Sequence, residues 1–178
     1  LWAVRGAGGN FGIVTALELE AYELRDVVFS TMAFQASADV LERWGELIEA
    51  APRELTSFLN LWAQGGTPVV QLYSVYAGDE TQAAIDALTP LLDIGPLLDQ
   101  QAQLAPYAAV VAPQGGVHMG GSAEPAMRAG LIHHVTPDLA REIAALLPVA
   151  PMAQIRSVGG AVNDVDPLAT AYAHLSRF

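Results

Sequence analysis

The sequence predicts an α+β fold: a largely antiparallel sheet with helices packed on one face, assembled from ferredoxin-like elements. Three observations carry that expectation. Hydrophobic periods of two and of 3.6 residues alternate in the order β-β-α-β-β-α, then β-α-β after an irregular stretch. A Gln-Gly-Gly-Thr turn at 64–67 joins two strand-like runs into a hairpin. Tight turns mix with helical connections, which suits an antiparallel sheet better than a doubly wound parallel one.

The elements follow in order. Ile13, Thr15, Leu17 and Leu19 alternate with Val14, Ala16, Glu18 and Glu20, the spacing of a half-buried strand. A second strand is expected over 27–34. Over 39–51 the period changes: Val40, Leu41, Trp44, Leu47, Ile48 and Ala51 share one helical face, with Ser37 as N-cap and Pro52 closing the segment. Strands over 54–63 and 68–77 form the hairpin. Asp79 and Gln82 resemble a capping box opening a helix to about residue 92, disturbed by Pro90. Gly95 and Pro96 then break the chain.

The pattern weakens over 97–126, where Pro113, Gly115, Gly116, Gly120, Gly121 and Pro125 read as a long loop. A strand over 128–135 is expected next. Thr136 as N-cap and Pro137 at the first helical position then open a helix with Leu139, Ile143, Leu146 and Leu147 inward. A last strand covers 152–158 and ends at Gly159 and Gly160, and a short helix is expected over 168–173.

Composition narrows the function classes. Among 178 residues the net charge is −11, and all eight basic residues are Arg. Without a basic cluster a nucleic-acid footprint or an anionic membrane partner is not expected. Without Lys there is no P-loop lysine and no Schiff base. Without Cys there is no disulfide, thiolate site or cysteine nucleophile. No run reaches the roughly 20 apolar residues of a membrane span. The start, Leu-Trp-Ala-Val-Arg, shows no signal peptide and reads as the interior of a longer polypeptide, so the compartment is not legible.

Four histidines, His118, His133, His134 and His174, do not suggest a metal site, because adjacent strand residues point to opposite faces. No Gly-x-Ser-x-Gly elbow occurs, and Ser122 sits in the glycine loop. Glu42, Glu46 and Glu49 form a solvated helix face. On the hairpin, Leu55, Leu59 and Leu61 suit packing under helices. Phe58, Asn60 and Trp62 then share the opposite face with Gln71 and Tyr73, and with Gln154 and Arg156 of the later strand. That face reads either as a substrate pocket lined by Asn60, Trp62, Gln71, Tyr73 and Arg156 or as a plain solvent face.

The glycine-rich run WAVRGAGGNFGIVT (2–15) is the most specific feature. As a dinucleotide fingerprint it fails: Phe11 stands where the third Gly belongs, and a strand rather than a helix is expected after it. The run instead resembles the closing motif of the FAD-binding domain in berberine-bridge-enzyme-like flavoproteins of the vanillyl-alcohol-oxidase superfamily. Trp2, Arg5, Gly6, Gly8, Gly9, Asn10, Phe11, Gly12, Val14 and Thr15 match that pattern. Weaker similarities continue in LTPLLDIGP (88–96), RSVGGA (156–161) and AYAHLSRF (171–178). Two departures are Leu175, where the family has Arg, and AMRAG (126–130), where many members carry an aromatic-Lys-Ser segment.

The resemblance implies that residues 1–20 end an FAD-binding domain and that 21–178 form an incomplete substrate-binding domain. It implies FAD contacts from Gly8, Gly9, Asn10, Phe11, Gly12, Ile13 and Val14, since glycines let backbone amides approach a ring closely. It further implies oxidation of an alcohol or C–N bond of a small-molecule substrate by hydride transfer to flavin, with oxygen as acceptor. No catalytic base is assigned. The chain alone is not expected to retain FAD or turn over substrate, and a homodimer is compatible. The competing class is a non-enzymatic α+β ligand-binding or oligomerisation module.

Overall fold

Between residues 26 and 106 the chain forms a βαββαβ unit, the ferredoxin-like arrangement. The computed structural model describes residues 1–64, 66–78, 80–111, 128–146, 150, 152–172 and 178. After a kinked helical turn, α1 (Val4–Ala7), the order is β1 (Asp26–Gln35), α2 (Ala38–Glu49), β2 (Leu55–Gln64), β3 (Thr67–Tyr76), α3 (Thr81–Leu88) and β4 (Leu97–Pro106). Then come α4 (Tyr107–Val111), α5 (Pro137–Ala145) and β5 (Met152–Arg156). The strands lie side by side as β4-β1-β3-β2-β5, and every neighbouring pair is antiparallel.

Period two assigns each strand residue to a face. Met32, Phe34, Leu55, Leu59, Leu61, Val70, Leu72 and Ile155 point to the covered face and are buried. There they pack with Val40, Leu41 and Trp44 of α2, Ala84 and Leu88 of α3 and Ala140 of α5. Helix α2 starts where Ser37 accepts a hydrogen bond from the Val40 amide at 3.2 Å. Thr136 does the same for Leu139 at 3.3 Å at the start of α5. Helix α2 meets Val135, just ahead of α5, at Gly45, where a Cβ would lie 2.7 Å from the Val135 Cβ, so only glycine fits.

One polar cluster lies inside this apolar layer. The Trp44 Nε1–H donates to Ser57 Oγ at 3.0 Å, and Ser57 Oγ meets Ser74 Oγ at 3.1 Å. The fully buried indole therefore has its acceptor, as a buried donor requires. Phe178 closes the layer beside Trp44, with ring centroids 5.2 Å apart.

Several expectations are corrected. Residues 13–20 form no strand: among the described residues no ladder partner lies alongside them, and Ile13, Leu17 and Leu19 remain 94%, 76% and 79% exposed. Alternation supplies a face, but a strand also needs a neighbour to take its backbone bonds. Conversely, the irregular reading of 97–106 misses β4, which pairs with β1 along its whole length. As an edge strand with almost every side chain exposed, β4 shows no two-residue hydrophobic period.

Residues 128–135 are not a strand either. Among the described residues, the backbone bonds of this stretch are those that Ile132 exchanges with Phe178, at 2.9 and 3.0 Å. Leu146 is exposed rather than inward, because α5 stops at Ala145. The helix expected from 79 to 92 divides into α3 and a 3₁₀ turn (Thr89–Asp93) containing Pro90, and Gln82 bonds Asp86. Over 168–172 there is no helix. The backbone there is tied into turns, with Leu168 N donating to Asp166 Oδ1 and Ala171 N to the Trp2 carbonyl. Asp79, the 112–127 loop with its glycines and Ser122, Leu147, Leu175, His118 and His174 lie outside the described residues.

Candidate functional site

The face of the sheet opposite α2 carries a row that crosses four strands. Tyr73 of β3 stands opposite Phe58 of β2, and Phe58 stands opposite Arg156 of β5. The Phe58 and Tyr73 rings are nearly parallel, 11° apart in tilt with centroids at 4.9 Å. Phe29 of β1 continues the stack on the far side of Tyr73 at 6.5 Å. At the near end the Arg156 guanidinium lies over the Phe58 ring, 5.8 Å from its centroid. Such offset aromatic and cation–π contacts hold rings upright and limit their rotamers.

A second row of amides runs beside the first. Asn60 is the register partner of both Gln71 and Gln154. Gln154 Nε2 donates to Asn60 Oδ1 at 2.6 Å, and Arg156 Nε donates to Gln154 Oε1 at 2.6 Å. Gln71 Nε2 instead donates to the Met32 carbonyl at 3.2 Å. Trp62 ends the face, paired in register with Val69 and Met152. The structure thus brings Asn60, Trp62, Gln71, Tyr73 and Arg156 onto one face, together with Phe58 and Gln154.

Helix α4, absent from the sequence-based expectations, roofs part of this face. Tyr107, Val110 and Val111 stand over Phe29, Phe58 and Tyr73 and enclose a hollow of about 570 Å³, a size suited to a small molecule. Its only local signal is a short apolar run, Tyr-Ala-Ala-Val-Val, after Pro106. Phe29 joins the site through strand register, which no local pattern reveals.

The glycine motif lies elsewhere. Its described contacts are with the 162–172 segment: Trp2 Nε1 donates to the Leu168 carbonyl at 2.7 Å, and Arg5 lines a small hollow with Val162, Val165 and Tyr172. The glycines divide into two kinds. Gly6 has φ +124°, and a Cβ there would lie 2.3 Å from the Tyr172 backbone nitrogen, so the fold itself demands glycine. Gly12, with φ +141°, is demanded by its own backbone.

Gly8 and Gly9 have no such internal reason. Both lie in a 3₁₀ turn (Gly8–Asn10). A Cβ on Gly9 would meet nothing within 4 Å, and one on Gly8 only Val4 at 4.0 Å. Phe11, Ile13 and Val14 beside them are exposed. Among the described residues, the space beside Gly9 is empty and that beside Gly8 nearly so.

Other chemistry is sparse. Among the described residues no group of three or more His, Cys, Asp or Glu could hold a metal ion. His134 Nδ1 lies 2.9 Å from Glu49 Oε2 on the surface. A perturbed carboxyl occurs at Asp164, held below its ordinary value by the hydrogen bond from Arg53. No helix among the described residues is long and apolar enough to cross a membrane.

Comparison with known proteins agrees with the motif. No family model matches the chain. It is 32% identical over 102 residues to a xylooligosaccharide oxidase of Thermothelomyces thermophilus, covering 52% of this chain and 20% of that protein. It is 33% identical over 105 residues to the FAD-linked oxidoreductase tazL of Aspergillus terreus, with 53% and 20% covered. A further FAD-linked oxidoreductase, from Dictyostelium discoideum, is 29% identical over 86 residues, with 46% and 18% covered. The matched part thus spans about a fifth of these curated relatives. The fold is shared with a carbohydrate oxidase of Microdochium nivale solved with a substrate analogue, at TM-score 0.64 and 20% identity, covering 97% of this chain and 41% of that one. It is also shared with the flavoenzyme CrmK, at TM-score 0.55 and 16% identity, covering 84% of this chain and 35% of that one.

Proposed function

We propose that this chain, a relative of FAD-linked oxidoreductases of the berberine-bridge type, is the substrate-binding portion of an FAD-dependent oxidoreductase. The observation that carries the reading is the pairing of two features in one chain. One is a glycine motif of flavin-binding type in which a Cβ on Gly8 or Gly9 would meet no closer described atom than Val4 at 4.0 Å. The other is a sheet face on which Asn60, Gln71, Gln154 and three stacked aromatic rings stand uncovered by α2.

Gly8, Gly9, Asn10, Phe11, Gly12, Ile13 and Val14 would hold the flavin, chiefly through backbone amides and the open space above the glycines. Bound FAD would supply hydride-accepting chemistry for oxidation of an alcohol or C–N bond, with oxygen as the electron acceptor. The chain's own residues bind and orient the substrate. Asn60, Gln71 and Gln154 offer amide donors and acceptors for its polar groups, while Phe29, Tyr73 and Phe58 give it an apolar floor. Tyr107, Val110 and Val111 of α4 screen that floor from water. The 178 residues alone retain no flavin and are inert in this reading.

The test uses a longer polypeptide that restores the region preceding Leu1. Flavin absorbance after purification is expected. Its Asn60→Ala and Tyr73→Phe variants should keep the flavin spectrum while kcat/KM falls about tenfold or more, as for loss of a substrate-directed hydrogen bond. A colourless longer protein would return the chain to the class of non-enzymatic ligand-binding modules. Unchanged kinetics in both variants would remove the sheet face from the substrate site.

A further inference from the structure

We infer that Arg156 makes the open face selective for a ring-bearing ligand with a carboxylate, and that Gln154 and Asn60 are there to aim it. This deepens the substrate-binding reading of the same face and rests on it. The argument starts from charge. The chain carries 19 acidic residues against eight arginines, and the described arginines divide between those that pair with a carboxylate and those, such as Arg43 on the Asp93 carbonyl, that do not. Arg25 has Glu23, Arg53 has Asp164 and Arg141 has Asp138. Arg156 has no carboxylate in ion-pair reach among the described residues; its recorded partners are Gln154 and the Phe58 ring.

The surroundings explain this. Strands β2, β3 and β5 read LTSFLNLWAQ, TPVVQLYSVY and MAQIR, without a single Asp or Glu. Across these three adjacent strands Arg156 is the one charged side chain. Neutral amides beside it donate and accept hydrogen bonds without competing for the charge. A carboxylate at this guanidinium meets no competing acidic side chain from strands β2, β3 or β5, so the attraction is short-range and local in a chain of net charge −11.

Geometry adds orientation. Arg156 uses its Nε–H on Gln154 Oε1, and Gln154 in turn uses its Nε2 on Asn60 Oδ1. The guanidinium continues the Phe29–Tyr73–Phe58 stack, which holds its plane. With Nε and the ring face engaged, the Nη1 and Nη2 groups are the donors left for a ligand, and a carboxylate is the group that two parallel N–H donors fit best. A ring lying across the upper edges of the stack, toward the hollow under α4, would place its carboxylate at this end. A sugar acid and an aromatic acid share that chemistry.

The test is an NMR-monitored titration of the 178-residue chain with D-glucuronate and with 4-hydroxybenzoate, each beside its neutral counterpart, D-glucose and 4-hydroxybenzamide. At least one acid should bind about tenfold tighter than its counterpart, the size of a charge-assisted hydrogen-bond pair. Which acid does so distinguishes the sugar source from the aromatic one. In Arg156→Gln the preference for the acid over its neutral counterpart should fall to near unity. Gln154→Ala should lower the preference with Arg156 still present, which a guanidinium acting as a free point charge would not show. Equal affinities in the unmodified chain, a preference surviving Arg156→Gln, or no binding of either acid would each overturn the inference. Flavin content of the longer polypeptide is read separately by absorbance, so a colourless protein with a clear acid preference, or the reverse, tells which of the two readings has failed.

Discussion

The two faces of the sheet carry polar groups at neighbouring positions and use them in opposite ways. On the covered face Ser30, Ser74 and Ser57 stand in register across β1, β3 and β2, and all three are at least 98% buried. One residue along, on the open face, Thr31, Tyr73 and Phe58 stand in the same register. Ser57 spends its hydroxyl inside the protein, on Trp44, Ser74 and the Tyr73 carbonyl. The open-face amides bond along the surface, Arg156 to Gln154 to Asn60, and stay accessible to a ligand. A polar group under the helices is therefore a requirement of stability, because burial without a partner is costly. A polar group on the other face is available for recognition.

The largest test of that contrast is Trp44→Ala. It removes the largest fully buried side chain of the covered face, and the expected loss is about 3–5 kcal/mol in a denaturant titration. A loss under about 1 kcal/mol would mean that the covered layer is not the core that holds the sheet.

A smaller test compares one polar residue from each face. Ser57→Ala leaves the buried Trp44 N–H without its acceptor and should cost about 1–3 kcal/mol. Asn60→Ala, at a half-buried position whose amide bonds only along the open face, should cost less than Ser57→Ala, about 0.5 kcal/mol, while acting on ligand binding. Equal costs at the two positions would erase the distinction between the faces.

The same contrast explains what the sequence made legible. Helix α2, strand β1 and the β2–β3 hairpin have one buried and one open side, so their periods are clean and their signals local. Parity alone then sorts Phe58, Asn60, Trp62, Gln71 and Tyr73 onto one face, and the register places them together. Strand β4 escapes because Asp99, Gln100, Gln101 and Gln103 line an exposed edge and leave no period to read. Residues 13–20 mislead in the opposite way, with a clean period and no ladder partner. The Gln154–Asn60 contact joins residues 94 positions apart, and Phe29 enters through strand register, so neither contact has a local signature.

The smallest expected effect lies at the rim, where Arg53, just before β2, grips Asp164 after β5 with N–O distances of 3.0 and 2.7 Å. Both side chains are largely in water, so the pair contributes little, as exposed ion pairs do. Its sign is nevertheless fixed. The hydrogen bond from Arg53 holds the Asp164 carboxyl below its ordinary value of 3.8, so the folded state binds its proton less readily than the unfolded chain. The contribution is fully present above that ordinary value and disappears as pH falls through the lower folded value. Melting temperatures of the unmodified chain and of Asp164→Asn should therefore differ by a small constant amount near neutral pH. That gap should close only on acidification below 3.8. A gap that ignores pH would place the effect of Asp164→Asn in the turn geometry rather than in the charge. A gap as large as that of Ser57→Ala would show that a rim contact in water can hold this sheet as firmly as a buried one.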